Sequence, residues 1–231
     1  MSLEVDQIVD RRRLRRKLSF WRVATFIVLA AALVGIAFTA GLKGPFSKEN
    51  KAHIAQIKIE GVIVNDQPML ELIEQLHSND QVKAVILDIS SPGGSTVGGE
   101  AHYEAIRKLA EKKPVAASVG TLAASAGYMI ASASDHIVAR RSSIVGSIGV
   151  LFQYADVSEL LDKVGVKVDA VKSAPLKAEP SPFHPASDEA IAIIDRLITA
   201  SFEWFVELVA LRRDMPESTV VALADGGVFT G

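Results

Sequence analysis

The chain has no cysteine among its 231 residues. That excludes disulfides, thiolate nucleophiles and cysteine-based zinc sites, and it neither requires nor forbids an oxidising compartment. Histidine is scarce as well. His53, His77, His102, His136 and His184 are scattered, with no HExxH-type spacing, so no metal, no cofactor and no histidine-based triad is expected. Only His184 lies close in sequence to another candidate group. The chain also lacks any excess of positive charge, with a formal net charge of −2 that is unevenly spread. Arg11, Arg12, Arg13, Arg15, Arg16, Lys17 and Arg22 precede residue 23, whereas from residue 43 onward eighteen basic residues face twenty-four acidic ones. An acidic body argues against nucleic acid as a partner.

Charge is missing altogether from Val23 to Leu42. Twenty uncharged residues are enough to cross a hydrocarbon core at about 1.5 Å per residue of helix. Phe20 and Trp21 stand at the basic end as interfacial anchors, and Lys43 closes the run. The pattern predicts a basic cytoplasmic segment over 1–22 and a single-pass anchor over 23–42, with the remainder on the extracytoplasmic side. A cleaved secretory signal is the rival reading, with small residues available at Thr39-Ala40-Gly41, but such signals have an apolar core of only about 7–15 residues.

What remains is sufficient for one folded domain, since 49% of the chain is apolar. Residues 43–52, with Gly44-Pro45, read as a linker, and 53–231 as the domain. Ile54, Ile57, Ile59, Val62 and Ile63 predict a strand, and Met69, Leu72, Ile73 and Leu76 recur at helical spacing. Val82–Ile89 reads as a strand that runs into Ser91-Pro92-Gly93-Gly94-Ser95, followed by a helix marked by Tyr103, Ile106 and Leu109. Pro114–Val119 is a third strand, Ala124–Ala133 a small-residue helix, Ile137–Ala139 a short strand, and Val166–Val171 another. Asp156 and Glu159 suggest a capping box ahead of Leu160 and Leu161, while Lys172–Pro185 reads as a loop. Ser187-Asp188-Glu189 caps a long helix carrying Ile191, Ile194, Ile198, Phe202, Phe205 and Val209 on one face. Alternating strands and helices imply an α/β fold with parallel pairing.

The chemistry is suggested by Gly120-Thr-Leu-Ala-Ala-Ser125-Ala-Gly-Tyr128, where small residues flank a serine, and by Lys177 further on. A serine hydroxyl is a weak nucleophile until a base within hydrogen-bond reach takes its proton. A lysine can do so only when neutral, and lowering its pKa from about 10.4 to about 7–8 normally requires desolvation. Leu176, Ala178, Pro180, Pro182 and Phe183 around Lys177 suggest surroundings that exclude water. Lys167 and Lys172 are alternative bases, and Ser147 in Gly146-Ser-Ile-Gly149 is the competing nucleophile. Taken singly, Ser125 also fits a packing role and Lys177 a solvated loop position.

In combination and order, these elements resemble the signal peptide peptidase A family of bacterial membrane serine peptidases, in its short form. The matching stretches are Ser90–Gly94, Ala124–Tyr128, Gly146–Val150 and Lys172–Pro182. The resemblance implies a Clp protease/crotonase-like α/β domain, Ser125 as nucleophile, Lys177 as general base, and a homo-oligomer in which a neighbouring subunit can contribute to the site. It also implies peptide substrates, remnant signal peptides in particular. Two positions depart from the family: Ala126 stands where glycine is frequent, and Ala178 where aspartate is. Backbone N–H groups of Gly94 and Ala126 are the candidate oxyanion donors. The closing Asp225–Gly231 resembles the start of a longer motif, so the domain is expected to be incomplete at its C-terminus. A crotonase-like acyl-CoA enzyme and a non-catalytic membrane scaffold are the alternative functions.

Overall fold

A computed structural model of the chain describes residues 17–33, 35 and 51–231. They fall into two compact units, one within Met1–Asn50 and one spanning Lys51–Gly231. In the first, residues 17–33 form helix α1, with the Thr25 hydroxyl donating to Trp21 O at 2.8 Å and Phe20 edge-on to Trp21. Among the described residues no helix is long and apolar enough to cross a membrane. The expected anchor over 23–42 is described, and helical, only at 23–33 and 35. Its other residues, the segment 1–16 and most of the linker lie outside the described residues.

The second unit begins with β1 (His53–Ile63), α2 (Gln67–Ser78), β2 (Val82–Gly94), α3 (Thr96–Ala110) and β3 (Val115–Ala124). α2 and α3 each start where the sequence supplies an acceptor for an orphan N–H. Asp66 accepts from Met69 N, and Ser95 accepts from Gly98 N at 3.1 Å. At the far end of α2, the Lys113 ammonium donates to Leu76 O and Asn79 O, satisfying carbonyls that the helix leaves open. Next come α4 (Ala126–Ser132), β4 (His136–Ala139), β5 (Ile144–Gly146), α5 (Ser158–Lys163), α6 (Asp188–Arg213), α7 (Glu217–Leu223) and β6 (Val228–Thr230). Ser187 caps α6 by accepting from Ala190 N, and Asp214, at φ 51°, ends it.

The sheet runs β1-β2-β3-β5-β6, with β4 also on β3. All pairs are parallel except β5 with β6. β3 changes partner half-way along: Ala116–Val119 pair with β4, whereas Leu122–Ala124 pair with β5. Buried Ser143 fills the split, its hydroxyl donating to Gly120 O at 2.7 Å. One core cluster joins Ile57, Ile59, Val85, Leu87, Ile89 and Val119 of the strands to Ile73, Ile106, Leu109 and Ile130 of the helices. A second cluster packs the C-terminal half of α6 (Phe205, Val206, Leu208, Val209) against Met129 and Ile148, with Val220 of α7 completing it.

The segment between β5 and α6 departs from expectation. Residues 166–171 form no strand, because no neighbouring strand offers hydrogen bonds, and Val166, Val168 and Val171 are exposed. The predicted capping box is replaced by a tighter turn in which Asp156 Oδ1 accepts from both the N–H (2.9 Å) and the hydroxyl (2.7 Å) of Ser158. On α6 the predicted apolar face is buried only in its second half, and Ile191 and Leu197 are exposed.

Candidate active site

β3 delivers Ser125 at the point where the strand stops and α4 begins. Its N–H extends the β3–β5 ladder by donating to Gly146 O at 2.9 Å, and its carbonyl accepts from Tyr128 N and Met129 N, opening the helix. Meeting both demands within one residue forces φ 52° and ψ −122°, a conformation that costs a non-glycine residue about 1–3 kcal/mol. Such strained strand-to-helix turns hold a nucleophile clear of the backbone. The Ser125 side chain caps nothing, and Oγ makes no hydrogen bond among the described residues.

Two further elements close around it. Ser91, fully buried, donates its hydroxyl to Gly61 O at 2.7 Å and accepts from Gly93 N at 3.1 Å, clamping the ends of β1 and β2 together. Gly93, at φ +108°, passes so near the turn that a Cβ there would lie 2.7 Å from Ser125 Cβ and 3.2 Å from Ala126 N. A Cβ on Gly94 would overlap the backbone of Ile63. The glycine pair is therefore required by close approach, beyond its turn propensity. From the other side Ser147, at φ 51°, is fixed by its N–H donating to Gly227 O at 2.7 Å.

The enclosed space is a cavity of about 550 Å³ into which Ser125, Ser147, Gly94 and Ala126 all open. Met129, Val150, Leu151 and Phe205 supply apolar wall, and no titratable side chain lines it. Ala126 N and Gly127 N are the first N–H groups of α4, a position that leaves them without intrahelical acceptors. The opposite end of α4 is tied down by two arginines: Arg107 donates to Ala133 O at 2.8 Å, and Arg212 to Ser132 O and Ser134 O at 3.0 Å each.

A family model for peptidase family S49 matches residues 107–231, more than half of the chain. The chain belongs to peptidase family S49. A Clp protease model also matches residues 54–148 of this S49 chain, in keeping with its parallel-dominated α/β sheet. A Methanocaldococcus jannaschii protein with a provisional protease name is 35% identical over 162 residues, 70% of this chain and 52% of its own length. A Synechocystis protein, likewise provisionally named a protease, is 34% identical over 189 residues, 81% of this chain and 68% of its own length. "Serine protease SPPA, chloroplastic" of Arabidopsis thaliana is 31% identical over 194 residues, 82% of this chain and 27% of its own length. The S49 chain thus spans from about a quarter to about two thirds of these relatives.

The structure gathers three of the four expected site residues in the cavity and leaves the fourth out. Lys177 is not among the cavity-lining residues, and its ammonium makes no hydrogen bond or ion pair among the described residues. The expected water-excluding surroundings are also absent, because Lys177 is exposed. Glu179, two residues on, is the covered charged group instead, its side chain 8% exposed. Glu179 pairs with Lys172, accepts from Ser181 N at 3.0 Å and lies 3.3 Å from His184 Nε2. The Lys172 hydrogen bond is the main cause that holds the Glu179 carboxyl below its usual range, against an opposing effect of burial. Neither this cluster nor the arginine pair behind α4 was visible in the sequence, because the partners of Glu179, Arg107 and Arg212 are set by tertiary packing or by loop geometry without a sequence motif.

Proposed function

We propose that the chain is a serine endopeptidase in which Ser125 attacks the scissile carbonyl and Lys177 of a neighbouring copy acts as general base. The observation that carries this reading is a strained, unbonded serine in a cavity with no titratable lining group, alongside an exposed, unpaired Lys177 on another part of the chain. Docking of that lysine into a neighbour's cavity would bring base and nucleophile together. It would also desolvate the ammonium, lowering its pKa as its role requires. Residues 150–187 carry Leu151 (79% exposed), Leu160, Val164 and Val171, apolar surface that a second copy would cover.

In the reaction, neutral Lys177 takes the Ser125 proton as Oγ adds to the peptide carbonyl. The N–H groups of Gly94 and Ala126 receive the oxyanion. The lysine then returns the proton to the departing amine. Water repeats the sequence on the acyl-enzyme and frees Ser125. Ser125 is favoured over Ser147 as nucleophile because it alone is followed by a helix whose first N–H groups point to where negative charge develops. Ser147 supports the lysine from the opposite wall. The apolar lining suits a substrate side chain of modest size, in keeping with remnant signal peptides. Residues 23–42 would anchor the enzyme in the inner membrane, with the basic N-terminus cytoplasmic and the peptidase unit outside.

The test is complementation. Ser125→Ala and Lys177→Ala should each abolish hydrolysis of a fluorogenic peptide, and mixing the two, with subunit exchange, should restore about a quarter to a half of wild-type turnover. Inactivity of the exchanged mixture would place both groups within one chain. Full activity of either single variant would remove that residue from the mechanism.

A further inference from the structure

The Lys177 turn has no strand or helix to hold it. Residues 164–187 contain no regular element, so the position of the lysine depends on the internal bonds of the loop. Two of these are backbone: Lys177 N donates to Ala174 O at 3.1 Å, and Glu179 N to Leu176 O at 3.4 Å. Between them Ala178 sits at φ 62°, a left-handed conformation that persists in a non-glycine residue only where its surroundings impose it. The Glu179 side chain, 8% exposed, stands next to this residue. It is the buried polar group of this turn, and it gathers Lys172 from one strand of the loop with Ser181 and His184 from the other. The same loop is stitched to the start of α5 by Val157 N donating to Pro182 O at 2.8 Å.

We propose that Glu179 is the positioning residue for Lys177: its buried carboxylate, bridging Lys172, the Ser181 N–H and His184, fixes the turn that presents the lysine. The inference rests on the reading of Lys177 as the base. Lys172 has a second part in it. It matches the Glu179 charge, so that removing either partner leaves an unmatched charge close to the base. The charged groups bearing on the cluster are Lys172, His184, Asp156, which acts on His184, and Glu189 across the adjoining cavity. Lys177 is exposed in a single copy, so the cluster sets geometry and local charge before any docking occurs.

The experiment measures kcat, KM and the pH profile of peptide hydrolysis for Glu179→Ala, Glu179→Gln, Lys172→Met and the Lys172→Met/Glu179→Gln pair, with melting temperature and assembly size as controls. Misplacing a reacting group by about 1 Å costs about a hundredfold, so Glu179→Ala should lose about tenfold to a hundredfold in kcat, with KM within about twofold. Glu179→Gln, which keeps an acceptor for Ser181 N, should recover most of that loss while moving the rising, acid-side limb of the profile to lower pH, because Lys172 is left unmatched. Lys172→Met should move the limb to higher pH, and the pair should return it towards wild type. Wild-type kcat and an unmoved limb in Glu179→Ala would overturn the proposal. If Glu179→Ala does not fold, limb shifts of the same sign, or none, in Glu179→Gln and Lys172→Met overturn it. Turnover by Lys177→Ala would instead remove the base reading itself, whereas an inactive Lys177→Ala beside unperturbed Glu179 variants would sink this inference alone.

Discussion

Replacing Gly93 by alanine tests the link between backbone packing and Ser125, the proposed nucleophile, most directly. The new Cβ would stand 2.7 Å from Ser125 Cβ, 3.0 Å from Ala124 O and 3.2 Å from Ala126 N. Carbon atoms in favourable contact are about 3.5–4.0 Å apart, so about 1 Å must be yielded, and two of the three obstacles are backbone that cannot rotate aside. Gly93 also adopts φ +108°, where an L-residue carries an added cost of about 1–2 kcal/mol. Overpacking contributes about 1–3 kcal/mol more. The expected loss is therefore about 2–5 kcal/mol, a large share of the roughly 5–15 kcal/mol that holds a typical domain together. Ser125 is the nearest atom group, so the displacement falls on the nucleophile, and turnover should drop about a hundredfold where the variant is still folded. Gly120→Ala is the matched control. It lies in the same strand system, but its new Cβ would meet Ile89 O at 3.4 Å, Ser90 Cβ at 3.6 Å and Ser90 Oγ at 3.7 Å, all ordinary contacts, and its stability should change by less than about 1 kcal/mol. Urea unfolding of both variants, with hydrolysis measured well below their transitions, provides the readout. A Gly93→Ala protein within about 0.5 kcal/mol of wild type and fully active would refute the reasoning, as would a Gly120→Ala protein equally damaged.

Two further expectations follow from the packing and the loop cluster. Phe205, 1% exposed, joins the α6 cluster to the cavity wall, so Phe205→Ala should cost about 3–5 kcal/mol and shift peptide preference towards bulkier residues at the scissile bond. An unfolding midpoint within about 0.5 kcal/mol of wild type would contradict this. The Glu179 carboxyl is held below its usual range chiefly by the Lys172 hydrogen bond. A depressed folded-state pKa gives stability that is present above the unfolded value and lost as pH falls through the folded one. Wild type should accordingly lose stability as pH drops below the ordinary carboxyl range, and Glu179→Gln should show a shallower decline over that interval. Parallel acid-unfolding curves would argue against it.

The domain was readable where its elements satisfy their own rules locally. Alternation in Ile57, Ile59 and Ile63, helical spacing in Ile73 and Leu76, and the Ser187 cap each rest on residues a few positions apart, and β1, α2 and α6 formed where expected. Ser125, Gly94 and Ala126 meet in one cavity as the motif order suggested. The failures come where the outcome depends on distant partners. Val166, Val168 and Val171 resemble a strand, yet no strand edge reaches them, and backbone hydrogen bonding cannot be inferred from one side alone. The apolar and proline neighbours of Lys177 suggested burial, but Leu176, Ala178, Pro182 and Phe183 are themselves exposed in this loop. β5 and β6, three residues each, are too short to announce themselves by periodicity.

The two arginines behind α4 have a consequence for the order in which the molecule assembles. α4 is only seven residues long, too short to be stable on its own in water, and Arg212 reaches it from 78 to 80 positions further along the chain. Contacts that bridge such separations form late, after the closure entropy of the intervening loop has been overcome. The strained turn at Ser125 can therefore settle only once α6 has docked. During synthesis the nascent domain would pass most of its folding without the strained turn at Ser125, and that geometry would be a product of completion rather than a local property of the segment that contains it.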